Sequence, residues 1–332
     1  MSKVFGFLLT IVFLVLAFSR VDLAAFAEEM RRVNYIWILP SAVCTLLGYV
    51  VRSVRWHFVL SGQARAPVSV LFPILIMGFA TNNLLPGRLG EFWRAYLLGR
   101  KRDVPKSLAL ASVFVERVFD GLTLVALLGI VSMSIQLPDR GREVELFAAA
   151  VFLGATVFVG VLVFKPALVQ VPMQKALMPL PAKWSTWADE RLGFFIEGLA
   201  PLRKASVLLV AAALSVGVWL LEGASYLLLS RGVELGLAPG MELPAIGLTL
   251  VSINLGIMVP SGPGYVGTQE FFGTWALGVV GANASAALAL VVVSHAVQYA
   301  LVTSMGLFFF AREQLWPQNV QPTLVKEPEP AA

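Results

Sequence analysis

The sequence predicts an all-α polytopic membrane protein, with about six full transmembrane helices and two re-entrant hairpins in two inverted repeats. Three observations lead there. Of the 332 residues, 58% are hydrophobic and 14% are charged, against about 25% charged in an ordinary soluble domain. That composition cannot give a water-soluble globule its polar skin, and it is equally unlike a disordered chain. The apolar runs are long and unbroken, unlike the alternating segments of about ten residues that build an outer-membrane barrel. Two of the runs end in Pro/Gly-rich breaks that resemble each other. A single cysteine, Cys44, excludes a disulfide scaffold. The net charge of +5 needs no nucleic-acid partner, because Lys and Arg on the cytoplasmic side of a membrane give the same balance.

A helix crosses the hydrocarbon layer in about 20 residues. The candidate spans, in order, are Val4–Phe18, Tyr35–Val51, Ser107–Leu137, Leu146–Phe164, Ala205–Leu229 and Ala284–Ala311. The first is short, and Lys3, its apolar run and Ala25-Phe26-Ala27 also fit a cleavable signal; Arg20 and Asp22 lie between run and site and favour a retained helix. Positive residues set the orientation. Arg88, Arg94, Arg100, Lys101, Arg102 and Lys106 form one basic cluster, and the segment 165–204 holds a second. Both are placed in the cytoplasm of a bacterial-type inner membrane, with 138–145 and 230–242 outside and both termini inside. Val68–Leu85 must then return before the first cluster through Gly87–Gly99, a limb too polar and short to cross lipid. A hairpin dipping in from the cytoplasm solves this. Broken backbone at membrane depth survives only inside protein or beside a water-filled cavity, so the hairpin predicts a cavity. Leu243–Val259, the break Pro260-Ser261-Gly262-Pro263-Gly264 and the limb Tyr265–Val280 form the second hairpin. Trp184–Leu199 is amphipathic and expected along the cytoplasmic face. Residues 313–332 are expected to form a disordered cytoplasmic tail, Pro- and Glu-rich from Pro317.

The hairpins match in sequence. Glu91-Phe92-Trp93-Arg94-Ala95-Tyr96-Leu97-Leu98-Gly99 aligns with Glu270-Phe271-Phe272-Gly273-Thr274-Trp275-Ala276-Leu277-Gly278. Upstream, Asn83 and Pro86 pair with Asn254 and Pro260. Downstream, Glu91 to Glu116 and Glu270 to His295 are both 25 residues. Three full spans separate the repeats, so the halves, about 35–137 and 205–312, must face opposite ways. That is the plan of secondary transporters, whose broken helices meet near the midplane.

Ionisable groups inside a membrane are costly and face a pathway or a partner. Glu116 and Asp120 share one helix face, and Arg117 can reach Asp120 at i,i+3. They suit either a transport site or a structural ion pair closing on Glu91 or Arg88. Arg88, Gly90, Glu91 and Arg94 lie on the first hairpin's return limb. A helix starting near Leu89 would offer free N–H groups and its positive end, and Arg88 adds a fork of donors suited to phosphate. Pro260, Gly262, Gly264, Gly267 and Glu270 give the second hairpin a backbone able to point N–H groups at an anion. His295 can titrate near neutral pH, which would couple transport to protons; a satisfied core histidine is the competing reading. Glu222 is read as an interface residue near its helix end. Arg52, Arg55, Trp56 and His57 are read as snorkelling and aromatic anchors at a cytoplasmic helix end. The sequence shows no metal-ligand spacing, phosphate-binding loop, dinucleotide fingerprint or Ser/His/Asp constellation, so no cofactor, metal or catalytic residue is expected.

Asn83-x-x-Pro86-Gly87-Arg88-x-Gly90-Glu91-x-x-Arg94, followed by Glu116-Arg117-x-x-Asp120, resembles a known family. So does Pro260-x-Gly262-Pro263-Gly264-x-x-Gly267-x-x-Glu270. The chain is similar, over about residues 1–312, to the flippase-like transmembrane domain of lysylphosphatidylglycerol synthases. The resemblance implies movement of a lipid with a modified polar head across the bilayer, by an integral membrane protein rather than an enzyme. It also implies a possible lipid-modifying synthase as partner, since the aminoacyltransferase part of the full synthases is not in this sequence. Rival readings are a membrane-embedded transferase using a polyprenyl-phosphate donor, and a non-transporting partner of a separate synthase. The family often has Gly where Arg88 stands.

Overall fold

The computed structural model describes residues 2–315 apart from 20, 62, 65, 87, 136–138, 179–180 and 259–261. The described residues form helices and their connections, without a strand. The break at Pro260 and Ser261 and the tail from Pro317 lie outside them.

Each predicted span corresponds to a helix. α1 (Ser2–Phe18) is followed by α2 (Leu23–Arg32), whose first N–H groups are capped by the Asp22 carboxylate. A short turn at Tyr35–Trp37 leads into α3 (Ile38–Val59). α4 (Val68–Leu84) and α5 (Gly90–Arg102) are the limbs of the first hairpin, and α6 (Lys106–Ser132) is the long helix after it. α7 (Asp139–Phe164), α8 (Ala167–Leu177) and α9 (Ala182–Gly198) follow. α10 (Ala205–Ser230) precedes the second hairpin, α11 (Glu242–Gly256) and α12 (Thr268–Val279), and α13 (Ala284–Leu315) closes the bundle. By length and composition, three helices can cross a membrane: Tyr35–Val59, Ala205–Ser230 and Ala284–Glu313. Two bent helix pairs raise the number to five. α6 has the length, 27 residues, or about 40 Å, but carries Glu116, Arg117 and Asp120 in its middle.

Three boundaries differ from the sequence reading. The second span does not end at Val51: α3 runs on to Val59, because nothing breaks the helical pattern before Ser61. The third ends at Ser132 rather than Leu137. Most of 138–145, read as an outer loop, is the first two turns of α7. The amphipathic segment from Trp184 is helical as expected; Ile196 and Leu199 are buried beneath it while Trp184 and Trp187 are exposed.

The contacts among α3–α6 and α10–α13 keep the same pattern when the two sets are exchanged. α3 lies along α10. α4 packs on α13 as α11 packs on α6, and α5 touches α4 and α6 as α12 touches α11 and α13. A two-fold relation between the sets, with its axis in the α3–α10 seam, accounts for every one of these pairings. Small polar residues let the seam close: Ser225 Oγ lies 2.7 Å from Ser41 Oγ and 2.9 Å from Thr45 Oγ1. α1 breaks the symmetry by covering α12, with Phe13 stacked on Phe271 at 5.2 Å. Outward faces carry exposed Leu39, Leu209, Leu220 and Phe308, as lipid contact requires.

Close crossings rest on glycine. A Cβ at Gly306 of α13 would overlap the Cβ of Ala80 on α4. Gly306→Leu is therefore expected to destabilise the detergent-solubilised protein by about 1–3 kcal/mol, read as a lower melting temperature. Gly129→Leu, where nothing lies within 4 Å, should leave it unchanged.

Candidate functional site: a central polar cavity

The two hairpins, α3, α6, α10 and α13 enclose a cavity of about 100 Å³. Its wall is charged and aromatic, in a bundle whose outside is apolar.

The cavity's polarity begins on α6. Asp120 points at α3, where it accepts from Arg55 Nη1 at 2.6 Å and Arg52 Nη1 at 3.3 Å. Arg55 is 1% exposed and also donates to Ser215 Oγ at 2.7 Å. Arg52 reaches across the seam to Glu222 of α10 at 2.9 Å, with its guanidinium 5.0 Å from the Trp219 ring. One turn back on α6, Glu116 holds Arg94 of α5 at 2.7 Å, with both side chains 2% exposed. Arg94 also lies 4.1 Å over the Trp56 ring, whose Nε1 donates to Ser112 Oγ at 2.8 Å. Between these two pairs Arg117 turns to the cavity, more loosely held: 3.7 Å from Glu91 and 3.8 Å from Asp120.

These contacts overturn two readings. Arg52, Arg55 and Trp56 do not snorkel at a helix end. The extra turns of α3 carry them into the bundle, where they are at most 7% exposed. Glu222 is not an interface residue; it lines the cavity. Only His57 stays at the helix end, in the last turn of α3, its Nδ1 2.8 Å from the Ala66 carbonyl of the connection. A buried charge needs a partner at close range. Here four arginines (52, 55, 94 and 117) meet four carboxylates (Glu91, Glu116, Asp120 and Glu222). The formal charges of that set cancel.

Arg88 stands outside the balance. It has no carboxylate partner among the described residues, and its Nε lies buried with no hydrogen-bond partner. It occupies the tip of the first hairpin in left-handed backbone, φ 54°. Tyr265, at the tip of the second, is also left-handed, φ 60°. Such conformations cost about 1–2 kcal/mol for a residue with a Cβ. The two strained tips meet, the Arg88 guanidinium lying 5.7 Å from the Tyr265 ring.

The backbone at both breaks is more occupied than the sequence reading allowed. Gly90 N–H, at the start of α5, donates to Asn82 Oδ1 at 2.7 Å. Gly267 N–H donates to Glu270 Oε2 at 2.6 Å, closing the start of α12, and Gly262 N–H donates to Thr10 Oγ1 at 2.9 Å. These N–H groups shape the hairpins and are not open to an anion. Gly267 holds φ 83°, and Gly90 packs so close to Gly78 that a Cβ would overlap the Gly78 carbonyl. His295 joins the hairpin instead: its Nδ1 is 2.6 Å from Glu270 Oε1 and its Nε2 is 2.8 Å from the Gly264 carbonyl.

Of the residues singled out from sequence, Asn83, Arg88, Glu91, Arg117, Asn254, Gly264 and His295 line the cavity. Arg94, Glu116, Asp120 and Glu270 stand behind that wall, and Gly90, Gly262 and Gly267 fix the hairpins. Pro86 is not on the wall, and Pro260 lies outside the described residues. Asn83 Nδ2 donates to Thr303 Oγ1 on α13 at 3.0 Å, and Asn254 Nδ2 to its own helix at Leu250 O. Sequence reasoning missed Tyr49, Phe79, Asn82, Trp219 and Gln269, which line the wall together with Gln298 and Tyr299, the residues expected on the His295 side of their helix. Glu222 had a signal, a charge inside an apolar span, and Arg52 a weaker one, a charge just past the end read for its span. The missed aromatic and amide residues had none, since such side chains are common on any buried helix.

The family model of the lysylphosphatidylglycerol synthase TM region matches residues 3–306. The chain belongs to this family. Glycosyltransferase AglD of Haloferax volcanii is 25% identical, over 91% of this chain and 52% of that protein. A UPF0104 membrane protein of Methanocaldococcus jannaschii is 28% identical over 117 residues, 34% of each chain. Another, from Methanothermobacter thermautotrophicus, is 24% identical over 78% of both. The chain thus spans about a third and about half of the first two relatives' lengths. No solved structure matches it. Family and composition together make it a membrane protein.

Proposed function

We propose that this family member moves a lipid with an anionic polar head group across the cytoplasmic membrane. The uncompensated Arg88 at the cavity wall carries the reading. Beside it the four arginine and four carboxylate charges cancel and Glu270 is taken by His295, so Arg88 is the cationic side chain at the wall left without a carboxylate partner among the described residues. A single phosphodiester would neutralise it. Arg88 and Arg117 take the phosphate, Arg88 as a fork of donors; Glu91 and Glu222 can take an amino group on the same head. The cavity holds a small polar group and leaves the acyl chains outside, in lipid. The two-fold pairing of the hairpins supports an inverted repeat, in which alternate opening of the hairpins exposes the head group to one face and then the other. Both termini lie in the cytoplasm on this reading, and a separate synthase supplies the lipid.

The name of AglD favours a second reading, a membrane-embedded glycosyl transferase. The two separate in one experiment on cells with and without the gene. Extracted lipids go to mass spectrometry, and intact cells are labelled with an outer-leaflet head-group reagent. Unchanged composition with altered sidedness is the expected result and identifies the cargo. A missing lipid species with normal sidedness of the rest would reject transport in favour of transfer.

A further inference from the structure

His295 is held between two acceptors. A carbonyl oxygen cannot donate, so the 2.8 Å approach of Gly264 O requires Nε2 to carry a hydrogen. The Glu270 carboxylate, 2.6 Å from Nδ1, is an acceptor whenever it is ionised. Both contacts are satisfied only if the pair holds one extra proton, either as imidazolium against carboxylate or as neutral imidazole accepting from a carboxylic acid. Without that proton one ring nitrogen turns a lone pair toward an oxygen, and one contact becomes repulsive. The pair cannot shift to relieve this. Glu270 is 6% exposed and pinned through its other oxygen to Gly267 N–H. His295 is 8% exposed.

From this arrangement we infer that Glu270 and His295 form a proton-binding site coupled to the anionic cargo. The inference rests on the proposed transport reading, and it names the ion that accompanies the lipid. Two links connect the proton to the cargo. One is mechanical: Gly264, held by His295, precedes Tyr265, whose ring meets Arg88. The other is electrostatic. With the proton bound the Glu270–His295 pair is neutral, and Arg88 leaves the cavity at +1. With the proton gone the pair is −1 and the cavity is neutral overall. Proton and monoanion therefore favour each other's binding, a coupling that works equally in both directions. The proton enters from one aqueous face with the head group and leaves at the other.

Other charged and titratable groups face the pair without bonding to the ring. α10 brings Glu222 and Tyr226, α3 brings Tyr49 and Arg52, and α13 itself brings Tyr299, its ring centre 6.3 Å from that of His295. The described residues of α4 offer none. On α2, Glu28 pairs Arg31 and Arg32 at the surface, and Glu29 is half-buried. Glu222 is already paired with Arg52, which leaves Glu270 as the carboxylate that answers to His295.

The chain has two histidines, so ¹⁵N-imidazole NMR of the full-length protein in detergent reads the site directly. His295→Gln assigns the signal. The expected result is a protonated Nε2 at low pH and a proton lost from the pair as pH rises; a His295 signal unchanged from pH 5 to 10 would overturn the proton site. The second measurement uses the same protein in vesicles of phosphatidylcholine and phosphatidylglycerol with a trace of fluorescent phosphatidylglycerol. Wild-type translocation should fall about tenfold per pH unit above the site's midpoint, and His295→Gln should flatten that profile. Equal pH profiles in both proteins would overturn the coupling and leave transport standing. Absence of translocation in the wild type with this lipid and with lipid extracted from the native membrane would overturn transport and coupling together, while the NMR result would still decide the proton site.

Discussion

Asp120→Ala should be the most damaging single substitution in the protein, costing about 3–5 kcal/mol. Its carboxylate answers two buried arginines at once, Arg55 at 2.6 Å and Arg52 at 3.3 Å. Arg55 is 1% exposed and has no other carboxylate partner among the described residues; it also donates to Ser215. Removing Asp120 leaves a guanidinium in the bundle with neither water nor counter-charge. The expected readout is a large fall in melting temperature in detergent, or loss of the monodisperse peak on size exclusion. A second substitution tests the cause. Arg55→Leu in the Asp120→Ala background removes the orphaned charge and should recover much of the loss, because deleting both partners of a buried pair is far milder than deleting one. If the double variant is no better than the single, the damage comes from packing on α6 rather than from the stranded charge.

Arg117→Gln should do the reverse, leaving the fold intact and stopping transport. Its side chain is 33% exposed and its two ion pairs are long, 3.7 and 3.8 Å. Partly solvated pairs of that length contribute about 0–1 kcal/mol. On the proposed function the same guanidinium meets the head-group phosphate inside the cavity, where losing one charged partner costs about 2–5 kcal/mol. That is about thirtyfold or more in affinity. The measurement is translocation of fluorescent phosphatidylglycerol by a variant whose melting temperature matches wild type. Arg100→Gln, on the exposed end of α5, is the control. An equal loss there would mean that basic surface charge, not the cavity, sets the rate. Normal translocation by Arg117→Gln would remove this residue from the site.

Much of this architecture was legible in the sequence. Apolar runs of span length, two Pro/Gly breaks and matched hairpins prescribe helices in two similar halves, because lipid forces the backbone to bond within each segment. The ionisable groups on α6 declared a polar interior for the same reason: a charge there needs a partner. Spacing placed Glu270 and His295 at equivalent points of the second repeat, and the structure brings the two together. In the first half the ion pair of Arg117 with Glu91 and its reach to Asp120 were legible, whereas the pairing of Glu116 with Arg94 was not. Position along one helix fixes which face a side chain occupies. It does not fix which side chain of another helix arrives opposite, and that depends on crossing angle and depth. So the tertiary structure alone decided that Arg52 and Arg55 on the last turns of α3 are buried against Asp120, and that Glu222 crosses the seam to meet Arg52. It also decided that the four carboxylates and four arginines close on one another. Arg88 then remains at the cavity wall as the charge left over, held in strained backbone against Tyr265.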